Sequence, residues 1–151
     1  MILISLPINL GDWKSVSFAS TLYLSPILDL LLSHVPKQIH PEVRLGLQEA
    51  LVNAAKHGNQ LDPTKKVKVK FCYRPGNYSW IVCDQGEGFL TEYECTCPLD
   101  DVDLPPEDAE HGRGLCILEQ IFDRVSWSNQ GTKVELFKQV EDLPLSSRIL
   151  K

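Results

Sequence analysis

The strict alternation of "VKVKFCY", residues 67–73, is the feature that most constrains the fold. Val67, Val69 and Phe71 fall on one face of an extended chain, and lysines fall on the other. "RPGN" follows as a turn and "YSWIVCD" as a returning strand, which together predict a β-hairpin. The lysines are most simply a solvated face. The apolar face must then be covered by another layer of structure.

The segments around this hairpin supply that layer, because helical and extended patterns occur on both sides of it. In chain order, we predict a strand at 13–18, a helix from Ser20 or Thr21 to about Val35, a helix from about Pro41 to His57 that stops at Gly58, a short amphipathic helix at 114–122, and a second hairpin that turns near Asn129 to Gly131. This order predicts the α+β class, an antiparallel sheet with helices on one face.

Charge and composition exclude several classes of function. The chain has 15 basic and 20 acidic residues, a formal net charge of -5, whereas proteins that grip nucleic acid through its phosphates are basic. The N-terminus has no basic region before its apolar residues, and the apolar cluster "PILDLLL" is interrupted by Asp29 and too short to span a bilayer. We expect a single cytoplasmic domain over residues 1–151, with reduced cysteines and no contact with nucleic acid or membrane.

The helix that contains "LQEALVNAAKHGN" has two different faces. At about 100° per residue, Glu49, Asn53 and Lys56 share one narrow sector, and the aliphatic residues lie opposite. Glu49 and Asn53 should therefore point together into one cavity. Such a pair is common on solvated helices, so the pair alone does not establish a site. Lys56 is most simply solvated, and His57 most simply satisfies carbonyls at the helix end.

Two glycine-rich elements add to this pattern. "DQGEGF", residues 84–89, follows directly on a strand and offers the Asp84 carboxylate together with glycines that allow close approach. "HGRGL", residues 111–115, opens a helix, where backbone N–H groups favour a phosphate. Between them, residues 85–111 are acidic and show no periodicity, which is typical of a functional loop.

In this order, "EALVNAAKHGN", "DQGEGF" and "HGRGLCIL" resemble the three nucleotide-binding boxes of the histidine-kinase-like ATPase superfamily, the GHKL or Bergerat fold. More narrowly, they resemble the bacterial anti-sigma factor serine/threonine kinases. The resemblance covers about residues 13–138, with an ATP lid at about 90–111. It implies a mixed, mostly antiparallel sheet with helices on one face.

The resemblance also implies roles for individual residues. Glu49 would be the general base, and Asn53 would hold Mg²⁺ on the phosphates of ATP. Asp84 would accept a hydrogen bond from the adenine amino group. The base pocket and the phosphates would be lined by glycines and one cation: Gly86, Gly88, Gly112, Arg113 and Gly114.

The implied function is an ATP-dependent kinase that phosphorylates a small anti-anti-sigma (STAS-type) antagonist and sequesters a sigma factor or a comparable regulator, commonly as a homodimer. Two alternatives stay open. One is a catalytically inactive ATP-binding regulatory module. The other is a detached histidine kinase catalytic domain, which is disfavoured because no long dimerisation helix with a phosphoacceptor histidine precedes the boxes.

Overall fold

The computed structural model describes residues 3–5, 13–88 and 110–141, and it leaves the side chains of residues 3–5 and 110–113 aside. Its elements in chain order are β1 (Leu3–Ser5), β2 (Lys14–Ala19), α1 (Ser25–Leu32), α2 (His40–Val52), β3 (Lys66–Arg74), β4 (Asn77–Cys83), α3 (Glu110–Ile121), β5 (Arg124–Ser128) and β6 (Lys133–Gln139), with 3₁₀ turns at Lys37–Ile39 and Asn129–Gly131. A π-helical turn, Asn53–Gly58, continues α2 without a break.

The strands form one six-stranded sheet in the order β1-β2-β3-β4-β6-β5, and every neighbouring pair is antiparallel. Both predicted hairpins are confirmed. The first turns at Gly76, whose φ of 77° suits glycine, and the second turns through Asn129–Gly131. The predicted α+β class, with a mostly antiparallel sheet, is confirmed as well.

The alternation of β3 is confirmed in detail. Val67, Val69 and Phe71 are buried beneath the helices, whereas the lysines between them are exposed. Trp80, paired with Phe71 in the sheet, is fully buried and packs edge-to-face on Phe122, which directly follows α3. The core therefore lies between one face of the sheet and the helices, and it fixes α2 and α3 against the sheet.

Two predicted helix starts differ from the structure, and one strand was not predicted. The first helix begins at Ser25, after the predicted start, because Pro26 occupies its first turn and a proline deeper in a helix would clash with the preceding turn. The last helix begins at Glu110, before residue 114. β1 was not predicted, since three residues are too few to show a period.

Most of the loop predicted at 85–111, and with it most of the lid predicted at about 90–111, lies outside the described residues. Residues 85–88 are irregular as expected, and residues 110 and 111 belong to α3. Cys72 and Cys83 form no disulfide, whereas Cys116 is disulfide-bonded, so the expectation of reduced cysteines fails at Cys116.

Candidate functional site

The predicted polar face of the second helix opens on a cavity between α2 and α3. The cavity is lined by Glu49, Val52, Asn53, His57, Gly114, Leu115 and Leu118. The structure thus brings Glu49 and Asn53 together with Gly114 of the third box. Lys56 is exposed, while His57 belongs to the lining. The sequence interpretation placed His57 only at the helix end, although its spacing of four from Asn53 pointed to the same wall.

Close packing of α2 against α3 depends on glycine at two positions, one in each helix. A Cβ on Gly114 would lie 3.1 Å from Oε2 of Glu49, and a Cβ on Gly46 would lie 2.5 Å from the ring of Phe122. Glu49 follows Gly46 in α2, whereas Gly114 precedes Phe122 in the chain, so the two helices run in opposite directions where they touch. The Glu49 carboxylate therefore faces the first turns of α3.

The end of the second helix is a π-turn, which was not predicted. The N–H of Asn59 donates to the carbonyl of Ala54 at 2.9 Å, one residue further back than in an α-helix. Such turns insert one extra residue and often occur at functional sites. Here the π-turn, which carries Asn53 and His57, brings Gly58 and Asn59 against the "DQGEGF" loop.

Asp84 lies at the end of β4, opposite the π-turn. Its backbone N–H donates to the carbonyl of Thr132 at 2.9 Å, and its Oδ1 accepts the N–H of Gly86 at 2.8 Å. The carboxylate is half-buried. Burial raises the pKa of Asp84 above its usual value, although the hydrogen bond from Gly86 and the nearby Lys65 act in the opposite direction.

The glycines of this loop allow contacts that a side chain would prevent. A Cβ on Gly86 would lie 2.0 Å from the carbonyl oxygen of Gly58, and a Cβ on Gly58 would lie 2.4 Å from the Asp84 carboxylate. Gly88 has a φ of 85°, and a Cβ there would lie 2.2 Å from the carbonyl oxygen of Gln130. The first and second boxes are therefore in direct backbone contact.

The third box occupies the start of α3. Gly112, Arg113 and Gly114 fall within the first turns of the helix that begins at Glu110, so the prediction that this segment opens a helix is confirmed. The side chain of Arg113 is outside the described residues, and its contact with phosphate stays a prediction. Unpaired N–H groups in a first helical turn carry the positive end of the helix dipole.

The residues present fit a magnesium–nucleotide complex better than a metal ion alone. Within the described ranges, no group of three or more His, Cys, Asp or Glu residues could hold a metal ion. The cavity does offer the oxygens of Glu49 and Asn53. Mg²⁺ typically takes one or two protein oxygens and completes its shell with water and substrate phosphates. The donor set is therefore adequate only if a ligand brings phosphates of its own.

Comparisons with known proteins agree with this geometry. The family model described as "Histidine kinase-like ATPase domain" matches residues 28–138. A protein named anti-sigma F factor from Anoxybacillus flavithermus is 31% identical over 102 residues, which cover 66% of this chain and 68% of that relative. Anti-sigma F factors from Geobacillus kaustophilus and Geobacillus stearothermophilus are 32% and 33% identical, over 68% and 67% of their lengths and 66% and 64% of this chain.

The extent of these matches decides the family. The family model spans most of the chain and includes α2, the Asp84 loop and α3, the elements that build the cavity. Membership implies that the chain binds ATP. None of the helices in the described part of the chain is both long enough and apolar enough to cross a membrane. The chain belongs to the bacterial anti-sigma factor kinase family of the histidine kinase-like ATPases.

Proposed function

We propose that the protein is an ATP-dependent serine/threonine kinase that acts on a small antagonist protein. The observation that carries this proposal is the shared cavity of Glu49 and Asn53, one helical turn apart and facing Gly114 at the start of α3. A site of this kind supplies a carboxylate, an oxygen ligand for a metal ion and backbone donors for phosphate. Phosphoryl transfer mostly requires such positioning and charge neutralisation.

In the proposed complex, adenine lies by the Asp84 carboxylate, with Gly86 and Gly88 beside the base. The phosphates extend towards Gly112, Arg113 and Gly114 at the positive end of α3. Asn53 would hold Mg²⁺, which neutralises phosphate charge when it is bound. The direct contact between Gly58 and the Asp84 loop supports this arrangement, because it joins the base end and the phosphate end of the site.

The proposed reaction transfers the γ-phosphoryl group to a serine or threonine hydroxyl. The hydroxyl oxygen forms a bond to the γ-phosphorus, the bond to the β,γ-bridging oxygen breaks, and ADP leaves. The hydroxyl proton passes to the Glu49 carboxylate, the general base of the proposal. The position of Glu49 in the cavity, across from the start of α3, supports this role.

The partners are proposed from the relatives, whose printed name is anti-sigma F factor. We infer that the chain sequesters a sigma factor or a comparable regulator until an unphosphorylated STAS-type antagonist displaces it. This role would place the protein in the cytoplasm, and we expect a homodimer. Light scattering on purified protein measures the oligomeric state directly.

Incubation with γ-labelled ATP and a candidate antagonist tests the proposal against its two alternatives. Acid-stable label on serine or threonine of the antagonist is the expected result. Acid-labile label on a histidine would indicate a histidine kinase domain. ATP-dependent binding of the antagonist without any transfer of label would favour the inactive regulatory module.

The metal role of Asn53 predicts a specific loss. Asn53→Ala should weaken Mg·ATP by about tenfold or more, since even residues that only support a metal ligand cost that much when mutated. Metal-free ATP should lose much less affinity. Calorimetry with and without Mg²⁺ measures the difference, and Gln48→Ala, an exposed change on the same helix, is the matched control. Equal losses in both conditions would make Asn53 a purely structural residue.

The raised pKa of Asp84 predicts a pH dependence of base recognition. Only the ionised carboxylate accepts a hydrogen bond from the adenine amino group without donating one, so ATP binding should favour ionisation. Because burial raises the pKa of free Asp84, protonation on acidification should begin at a higher pH than for an ordinary aspartate. The affinity for ATP should therefore fall as the pH is lowered through that raised pKa.

The measurement compares the affinity for ATP with the affinity for inosine triphosphate, in which an oxygen replaces the amino group. Titration of the phosphates then cancels in the ratio of the two affinities. In the parent protein, the preference for ATP should decrease on acidification. In Asp84→Asn, the preference should be about tenfold smaller and independent of pH, since a hydrogen bond to a charged group contributes about 1.5–3 kcal/mol. If the preference of the parent protein for ATP does not change with pH, Asp84 does not bind the adenine base.

A further inference from the structure

Asn59 is a completely buried polar residue, with 0% exposure, directly after the π-turn. Its side-chain amide is bonded on both sides. Nδ2 donates to Oγ of Ser20 at 2.9 Å and to the carbonyl of Lys66 at 3.0 Å, and Oδ1 accepts the backbone N–H of Gln85 at 2.7 Å. Burial of an amide is costly unless it is hydrogen-bonded, and an apolar side chain would fill the same space without that requirement. We therefore explain the buried amide by the three groups to which it is hydrogen-bonded.

Those partners are the end of the sheet on one side and the Asp84 loop on the other. Ser20 follows β2 and is itself fixed, because its N–H and its hydroxyl both donate to the carbonyl of Lys65, at 3.1 and 2.9 Å. Lys66 begins β3. Gln85 adds a second connection, since its Oε1 accepts the N–H of Lys66 at 2.7 Å. Two side chains thus join the residue after Asp84 to the rigid sheet.

The consequence is that three successive N–H groups in the loop have fixed partners. The N–H of Asp84 is held by Thr132, that of Gln85 by Asn59, and that of Gly86 by the Asp84 carboxylate. Without Asn59, the N–H of Gln85 would lose its acceptor inside the protein. The backbone that carries the Asp84 side chain could then rotate.

We propose that Asn59 is the positioning residue for base recognition, which holds the Asp84 carboxylate in the orientation that reads the adenine amino group. This inference rests on the proposed role of Asp84 in binding adenine. Asn59 does not touch the nucleotide in this account. It acts on Gln85 and, through the backbone, on Asp84.

The test is the affinity of Asn59→Ser for ATP and for inosine triphosphate, measured by calorimetry together with thermal unfolding. We expect ATP affinity to fall about five- to tenfold, the equivalent of about one hydrogen bond. The affinity for inosine triphosphate should change by less than about twofold, so the preference for ATP shrinks. A lower unfolding temperature with an unchanged preference would overturn the inference, because it would make Asn59 merely structural.

Ser20→Ala is the matched control, since it removes a partner of Asn59 on the sheet side and leaves the bond to Gln85 intact. It should lower the unfolding temperature and retain the preference for ATP. If Asn59→Ser does not fold, Asn59→Thr replaces it, because its methyl group fills more of the space and its hydroxyl likewise cannot take the place of the amide oxygen that accepts the N–H of Gln85. The same loss of preference is expected there, and none at all would overturn the inference.

Measurements on the parent protein distinguish a failure of the proposed role of Asp84 from a failure of the inference about Asn59. A parent that binds ATP without preferring it over inosine triphosphate contradicts the role of Asp84, and the inference about Asn59 falls with it. A parent that prefers ATP, combined with an Asn59→Ser variant of equal preference, contradicts the inference alone.

Discussion

Glu49→Gln should nearly abolish phosphorylation of the antagonist while ATP binding stays close to that of the parent. A positioned general base contributes about 10²–10⁴-fold to a rate, whereas the affinity for ATP comes from contacts with the base, the metal ion and the phosphates. Glutamine keeps the size of the side chain and can still accept a hydrogen bond beside Gly114, but it cannot take the proton. Binding and chemistry should therefore separate in this variant.

The measurement pairs the single-turnover rate of label transfer with calorimetric affinity for Mg·ATP and for the antagonist. Glu119→Gln is the matched control, because it makes the same change in charge at an exposed position of α3. Transfer at the parent rate in Glu49→Gln would mean that another group takes the proton. A joint loss of binding and transfer would instead make Glu49 part of the binding surface.

Gly86→Ala should weaken ATP and ADP by about 100-fold. The added Cβ would lie 2.0 Å from the carbonyl oxygen of Gly58, a backbone atom that cannot swing aside as a flexible side chain can. The Asp84 loop and the end of the π-turn must then separate by about an ångström. A misplacement of about 1 Å can cost about 10²-fold in a catalytic rate that depends on exact positioning, and we expect a loss of similar size in the affinity for nucleotide.

Glu87→Ala, an exposed change one residue further on, should leave both affinities unchanged. Far-UV circular dichroism and thermal unfolding would show that the Gly86→Ala variant still folds. If that variant bound nucleotide normally, the contact between Gly58 and Gly86 would have no part in forming the site.

Local patterns were sufficient to predict much of this fold. The alternation of β3, the two hairpin turns and the shared sector of Glu49 and Asn53 each depend on the spacing of neighbouring residues, and the structure confirms them. The same holds for Asp84 at a strand end. Interactions of short range leave a period in the sequence that can be read without the fold.

Features that depend on partners far apart in the chain leave no periodic pattern in the sequence. Asn59 bonds to residues 39 and 26 positions away, and in the sequence it is only the residue after a helix-ending glycine. The π-turn brings Gly58 into contact with Asp84 and Gly86, and the composition of "NAAKHG" does not indicate such a turn. β1 exists through its pairing with β2. In each case the cause lies in tertiary packing.

The π-turn also limits which changes of chain length the protein can accept. Removal of one residue from Asn53–Gly58 would restore regular α-helical spacing and leave the later residues close to their present angular positions, because a π-turn takes up one extra residue. Removal of a second residue would rotate all later residues by about 100° around the axis. Asn59 would then turn away from Ser20 and Gln85, and Gly58 would no longer face Asp84. Substitutions in this turn alter single contacts, but a second deletion changes the register of the whole connection. The turn should therefore tolerate the loss of one residue but not of two.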